Sequence, residues 1–123
     1  MSLDRAAFKK IADADFEFGR ETRYLTGSIV LEMGDAIWSF DFDNGKLKSI
    51  SDQPRTDAKI VVGGSSHQWD ALLEEMPKPF YQCIQSAAVK EGMMITDTNE
   101  TFAYLPALNR MTTLLRQMKN GKA

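Results

Sequence analysis

Four groups of side chains could do chemistry: His67, Cys83, the pair Asp41 and Asp43, and the turn Gly63-Gly64-Ser65-Ser66. His67 is the only histidine of the 123 residues, which removes metal sites built on several histidines. It stands in the first turn after Ser65, where the positive end of a helix disfavours imidazolium, and no nucleophile signature adjoins it. Its reading is a surface or capping residue. Cys83 has no CxxC partner and lies beside an apolar helical face, so it reads as a structural thiol rather than a nucleophile. Asp41 and Asp43 share the polar side of a strand that ends in a turn. They would serve as a weak cation site or an acid pair, or as the solvated face that keeps a sheet soluble. The Gly-Gly-Ser-Ser stretch before a helix resembles a generic anion-binding turn, but it lacks the GxGxxG and GxxxxGK[ST] patterns and is a weak signal. No acid, base and nucleophile converge, and a small enzyme is the weakest reading.

Composition narrows the classes further. Net charge is −2, so no basic field draws in phosphate backbones, and nucleic acid is not the expected partner. No apolar run approaches the ~20 residues of a membrane span. A hydrophobic fraction of 43% and a charged fraction of 26% are those of an ordinary globular chain. A chain of this length buries about two-thirds of its unfolded surface, enough for one domain, expected over 4–118. One cysteine, no apolar leader and no Ser-Lys-Leu ending make a cytoplasmic, bacterial stand-alone domain the expectation. No cofactor is expected.

These groups need a scaffold, and hydrophobic periodicity outlines it. From Asp4 to Phe18, the residues Phe8, Ile11, Ala12 and Phe16 form a helical stripe. Ile29, Leu31 and Met33 alternate with Val30 and Glu32. Trp38, Phe40 and Phe42 alternate strictly with Ser39, Asp41 and Asp43, and Asn44-Gly45 then signals a hairpin. "KLKSIS" completes an antiparallel meander. After the loop at Pro54, Ala58, Ile60 and Val62 mark a fourth strand. Ser65 and Gln68 have capping-box spacing, opening a helix with Trp69, Leu72, Leu73 and Met76 on one side. A second helix from near Pro79 would carry Phe80, Ile84 and Ala87. "EGMMITD" is a fifth strand, with Met93 and Ile95 on one face and Met94 on the other. Asp97 with Glu100 predicts the cap of a last helix bearing Tyr104, Leu108, Met111, Leu115 and Met118, with a kink or late start at Pro106. The fold class is α+β, a single layer of about five mostly antiparallel strands with helices packed on one face.

The helices after Ser65 and the final helix carry more apolar side chains than a small sheet obviously needs. They fill a close-packed core or line a cavity, and methionines suit a cavity that adapts to apolar ligands.

The order of elements resembles the sterol carrier protein family of small lipid-binding domains. The similarity lies in the hairpin "AIWSFDFDNGKL", in "TDAKIVVGGSSHQWDALLE", in Pro79-Phe80, and in "EGMMITD" and "ALNRMTTLL", together spanning most of the chain. The stretch "YQCIQSAAVKE" is longer than the family's corresponding link and is expected to extend that helix. The resemblance implies non-catalytic binding of an apolar small molecule (a fatty acyl, isoprenoid or sterol-like lipid) in a tunnel between sheet and helices. The candidate lining is Phe40, Trp69, Leu73, Met76, Phe80, Ile84, Met93, Leu108, Met111 and Leu115. The alternative is an accessory or interaction domain with a filled core, acting through the C-terminal helix or the open sheet face. There Val30, Val61 and Met94 would meet a second copy or a partner enzyme.

Overall fold

Strict alternation from Ala36 to Asp43 puts three aromatic rings on one side of a strand, and the fold is built around that side. The computed structural model describes residues 3–122. Strands β1 (Gly27–Met33), β2 (Ala36–Asp43) and β3 (Lys46–Ser51) form the expected antiparallel meander. Asn44 and Gly45 join β2 to β3 with φ of 49° and 86°. Both lie in the left-handed region that a two-residue hairpin turn requires and that Asn-Gly adopts most readily. Strand β4 (Ile60–Gly64) pairs with β1 in parallel, and β5 (Met94–Ile95) pairs antiparallel with β4. The sheet order is β3-β2-β1-β4-β5.

The parallel pair follows from the route of the chain, which passes from the edge strand β3 across the sheet to β4. Residues 52–59 make this crossing on the face opposite the helices. Ser39 donates a hydrogen bond to the Gln53 carbonyl, and Arg55 pairs with Asp41 at 2.6 Å. Strand β5 is short because a side chain replaces the ladder. The Thr96 hydroxyl accepts from Val61 N–H at 3.0 Å, and Thr96 N–H donates to the Val61 carbonyl at 3.0 Å.

Helices α1 (Arg5–Ala14), α2 (Phe16–Glu21), α3 (Ser66–Leu72), α4 (Ile84–Glu91), α5 (Asn99–Ala103) and α6 (Leu105–Lys119) complete the chain. Where the sequence predicts one helix from Asp4 to Phe18, Asp15 leaves helical geometry and caps a second helix. Its carboxylate accepts from Phe18 N–H at 2.8 Å. The break moves Phe16 off the stripe to 83% exposure and puts Phe18 in the core instead. Ser65 and Gln68 form the full capping box at α3. The last helix is capped by Thr98, not Asp97, because the Thr98 hydroxyl receives Thr101 N–H at 3.1 Å. Tyr104 interrupts it, and α6 restarts with Pro106 in its first turn, where a missing N–H costs nothing.

One side of the sheet presents Ile29, Leu31, Trp38, Phe40, Phe42, Ile60 and Val62 to the helices, and all seven belong to a single buried cluster with Phe8, Phe18, Leu72 and Leu108. Phe8 holds Trp38 and Phe40, each with ring centroids 5.9 Å away, edge-on to Phe40.

Candidate functional site

Of the ten residues expected to line a tunnel, eight meet in that cluster: Phe40, Trp69, Leu73, Ile84, Met93, Leu108, Met111 and Leu115. Phe40 arrives from the sheet centre, Trp69 and Leu73 from α3, Ile84 from the start of α4, and the last three from one stripe of α6. Met93 enters beside β5, and its methyl lies against Gly64, where a Cβ would stand 3.1 Å from it.

Met76 and Phe80 are not brought to this cluster; Met76 is 89% exposed and Phe80 45%. Both lie where the chain is not helical. The α3 stripe ends at Leu73, and α4 starts only at Ile84 rather than near Pro79, so 74–83 is a strap without helical periodicity. Phe80 has φ of 74°, and its ring lies outside under the Lys90 ammonium, 5.7 Å away. Hydrogen bonds to backbone carbonyls, those of Leu72, Leu73, Tyr81 and Gln82, hold the strap's two ends to α6. Arg116 donates to Leu72 O at 2.6 Å and Tyr81 O at 3.4 Å, and Asn120 donates to Leu73 O at 2.9 Å.

The centre of the cluster is closed. Phe40, Leu108 and Leu115 are 0% exposed, so no space wide enough for water touches them. Open space reaches the candidate residues at one end, in a cleft of about 380 Å³ whose walls include Leu3, Met33, Trp38, Trp69 and Leu73. That volume lies within the roughly 300–1,000 Å³ range of small-ligand pockets. Polar groups sit at its edge: Arg5, Ser66, Asp70 and Lys119. A larger groove of about 630 Å³ between α1 and β3 is walled by the charged side chains of Asp4, Arg5, Lys9, Lys48 and Asp52 together with Leu3, Ala6 and Ile50.

Sequence reasoning missed Leu3, Arg5, Met33 and Trp38 as walls of the cleft. For Trp38 the signal was present, since alternation sets it on the Phe40 side of β2. For Arg5 no local signal exists.

The groups that could do chemistry are dispersed. His67 is exposed in the first turn of α3, beside a surface depression with Asp70, Glu74 and Glu91. Cys83 precedes α4 and bonds the Ser86 hydroxyl at 3.3 Å. Burial pushes its thiol up, but Ser86, the backbone N–H groups of Ser86 and Gln85, and the Arg116 guanidinium outweigh this and hold it below its ordinary value. Asp41 works in the architecture. It accepts from Ser28 at 2.6 Å and Ser49 at 3.3 Å and pairs with Arg55, which ties the 52–59 crossing to the sheet. Asp43 is exposed. Among the described residues no group of three or more His, Cys, Asp or Glu is placed to hold a metal ion, and no helix is long and apolar enough to cross a membrane.

The open sheet face is less apolar than expected. Met94 lies there beside Gly63, 42% exposed, and the register aligns Val30 with Val61. Val30, however, is only 4% exposed, because the 52–59 crossing runs over this part of the face, at its cross-strand neighbour Ser39. The exposed Met-Val patch is reduced to Met94 and the partly covered Val61.

No family model matches the chain, and no curated protein matches it. Two solved structures do. The crystal structure of sterol carrier protein 2 superimposes with a TM-score of 0.70 at 15% identity, covering 94% of this chain and 97% of that one. The solution structure of the conserved hypothetical protein TT1886 from Thermus thermophilus, described as possibly a sterol carrier protein, matches with a TM-score of 0.61 at 16% identity, over 96% of this chain and 90% of that one. At such identities the likeness concerns the path of the backbone, and both matches run nearly end to end. With its five-stranded mixed sheet and the helices of one face enclosing a single apolar cluster, the chain has a sterol carrier protein-like fold.

Proposed function

We propose that this protein binds an apolar small molecule between sheet and helices and releases it unchanged, as a non-catalytic carrier acting in the cytoplasm as a single domain. The supporting observation is the cleft at Trp38, Trp69 and Leu73, since its walls are continuous with the closed cluster of Phe40, Ile84, Met93, Leu108, Met111 and Leu115. The sterol carrier protein-like fold supports the same reading by analogy. Binding is driven by area. Burial of ~300 Å² of ligand surface at roughly 25 cal/mol per Å² yields ~7 kcal/mol, before the cost of association. A ligand longer than the cleft needs the cluster to open, and the strap at 74–83, which lies outside helix and strand, is the part to move. Its ties to α6 run through Arg116 and Asn120.

Native mass spectrometry of the purified protein, with solvent extraction of the same sample, tests this reading. A bound mass of lipid size, identified in the extract, is the expected result. A bare protein that also takes up no added acyl or sterol probe overturns it and leaves a filled core acting through its surface.

A further inference from the structure

We propose that the free edge of β3 receives an extended acidic segment of another protein, which joins the sheet as a further strand in the groove beside α1. β3 ends the sheet, so one side of its backbone has no strand next to it. Among the described residues no turn, loop or cap bonds to the backbone of Lys46–Ser51 from that side. A row of unpaired N–H and C=O groups is a template for another chain. Its six residues offer a paired length of ~20 Å, at about 3.3 Å each. The opposite edge offers far less, since β5 is two residues long.

The groove of about 630 Å³ opens along the 48–52 end of this edge, and it shares only Leu3 and Arg5 with the tryptophan cleft. Ile50, half-buried opposite Phe40, joins Leu3 and Ala6 as its apolar part. An added strand sends every second side chain to one such surface, while its main chain bonds the edge. Charge selects the occupant. β3 carries Lys46 and Lys48 and no carboxylate, and both lysines are exposed. Neither joins an ion pair among the described residues. Two neighbouring acids are engaged elsewhere: Asp4 accepts from Ala6 N–H at 3.0 Å, and Asp13 pairs with Lys9 at 2.7 Å. Asp52 is the exception, receiving only the Gln53 side-chain amide at 3.0 Å. Like charges on this edge repel a second copy of β3. The bulge that leaves Lys48 without a partner, between Leu47 and Ser49, also bends the edge away from flat self-pairing. The same lysines complement an acidic strand, so the edge rejects its own kind and accepts the opposite charge.

The test adds two short peptides to the isotope-labelled protein, one alternating glutamate with valine and one alternating lysine with valine. Amide NMR shifts and hydrogen exchange are the readouts. The glutamate–valine peptide is expected to shift amides within 46–52 and 3–9 and to slow exchange about tenfold within 46–51. The lysine–valine peptide should bind about tenfold more weakly or less well still. Lys48→Glu, at an exposed position, should weaken the acidic peptide about fivefold, and Lys48→Gln should weaken it less. No shifts, or shifts confined to other elements, overturn the proposal. Equal binding of the two peptides overturns it, and so does an acidic peptide that binds both variants as tightly as the parent. Shifts at the edge without slower exchange would mean contact through side chains alone and refute strand addition. Protection within 46–51 that rises with protein concentration, with no peptide present, would give the edge to a second copy and also refute it.

Discussion

The indole Nε1 of Trp69 donates to the backbone carbonyl of Glu32 at 2.8 Å, tying α3 to the central strand β1. It holds Trp69, a wall of the cleft, against β1. Trp69→Phe keeps most of the ring and leaves the carbonyl without its partner, at an expected cost of about 1–3 kcal/mol. Urea unfolding followed by far-ultraviolet circular dichroism measures it. An unchanged midpoint would mean that the bond contributes nothing net.

Asp15 and Arg110 meet from positions 95 residues apart, through hydrogen bonds of 2.9 and 2.8 Å. The Arg110 hydrogen bonds, opposed by burial and helped by Phe18 N–H, hold the Asp15 carboxyl below the usual range. A carboxylate depressed in the folded state contributes stability above its unfolded pKa of about 3.9 and loses it as pH falls through the folded value. Asp41 has the same sign, since Arg55, Ser28 and Ser49 outweigh the upward push of its burial. Stability is therefore expected to hold from neutral pH to about pH 5 and to decline below about pH 4. Asp15→Asn retains a capping oxygen. It should lose about 1–2 kcal/mol at pH 7, a figure reduced by the pair's partial exposure, and show a shallower acid decline. Urea midpoints at both ends of that range decide it, and an acid decline as steep as the parent's refutes the assignment.

Met111 is 1% exposed at the centre of the α6 stripe. Met111→Trp has no free volume to fill in the closed protein and should cost about 1–3 kcal/mol while leaving a folded domain. Under the proposed function it should also reduce lipid uptake about tenfold, as roughly 1.4 kcal/mol of lost binding does. Met76→Ser, on the exposed strap, is expected to stay within ~0.5 kcal/mol of the parent and to take up lipid normally. A fluorescent acyl probe measures all three proteins side by side. Loss of uptake in Met76→Ser alone would move the site to the strap.

Arg116 has no carboxylate partner among the described residues; burial lowers its pKa, and it donates to the carbonyls of Leu72, Tyr81 and Gln82 instead. Arg116→Met keeps much of the stem and removes these bonds, with about 1–3 kcal/mol lost. Amide hydrogen exchange should accelerate first in residues 74–83, ahead of the sheet. Uniform acceleration across the chain would show that Arg116 supports the whole core rather than the strap.

Several elements were legible from local signals. Period-two alternation at Trp38, Phe40 and Phe42, the left-handed turn at Asn44-Gly45 and the box of Ser65 with Gln68 each depend on residues within a few positions, and each took the expected form. The side-chain period also put Met93 and Met94 on opposite faces. Met93 went to the helices and Met94 to the open side.

By itself the sequence determined the meander, the strand faces and the α6 stripe, because backbone periodicity dictates which side chains can share a surface. Tertiary structure decided where the helices stop and what the charges do. Asp15 breaks the first helix with Arg110 as a partner from the far end of the chain, and Asp41 becomes an anchor when Arg55 crosses the sheet. Met76 and Phe80 leave the core because Arg116 and Asn120 tie the chain between α3 and α4 into a strap. Arg5 acquires its place when α1 packs over Trp38, 33 positions on (38 − 5). The physical reason is common to all four. A helix end or an ion pair is a balance of small local preferences against one or two long-range hydrogen bonds, and those partners exist only once the chain has folded.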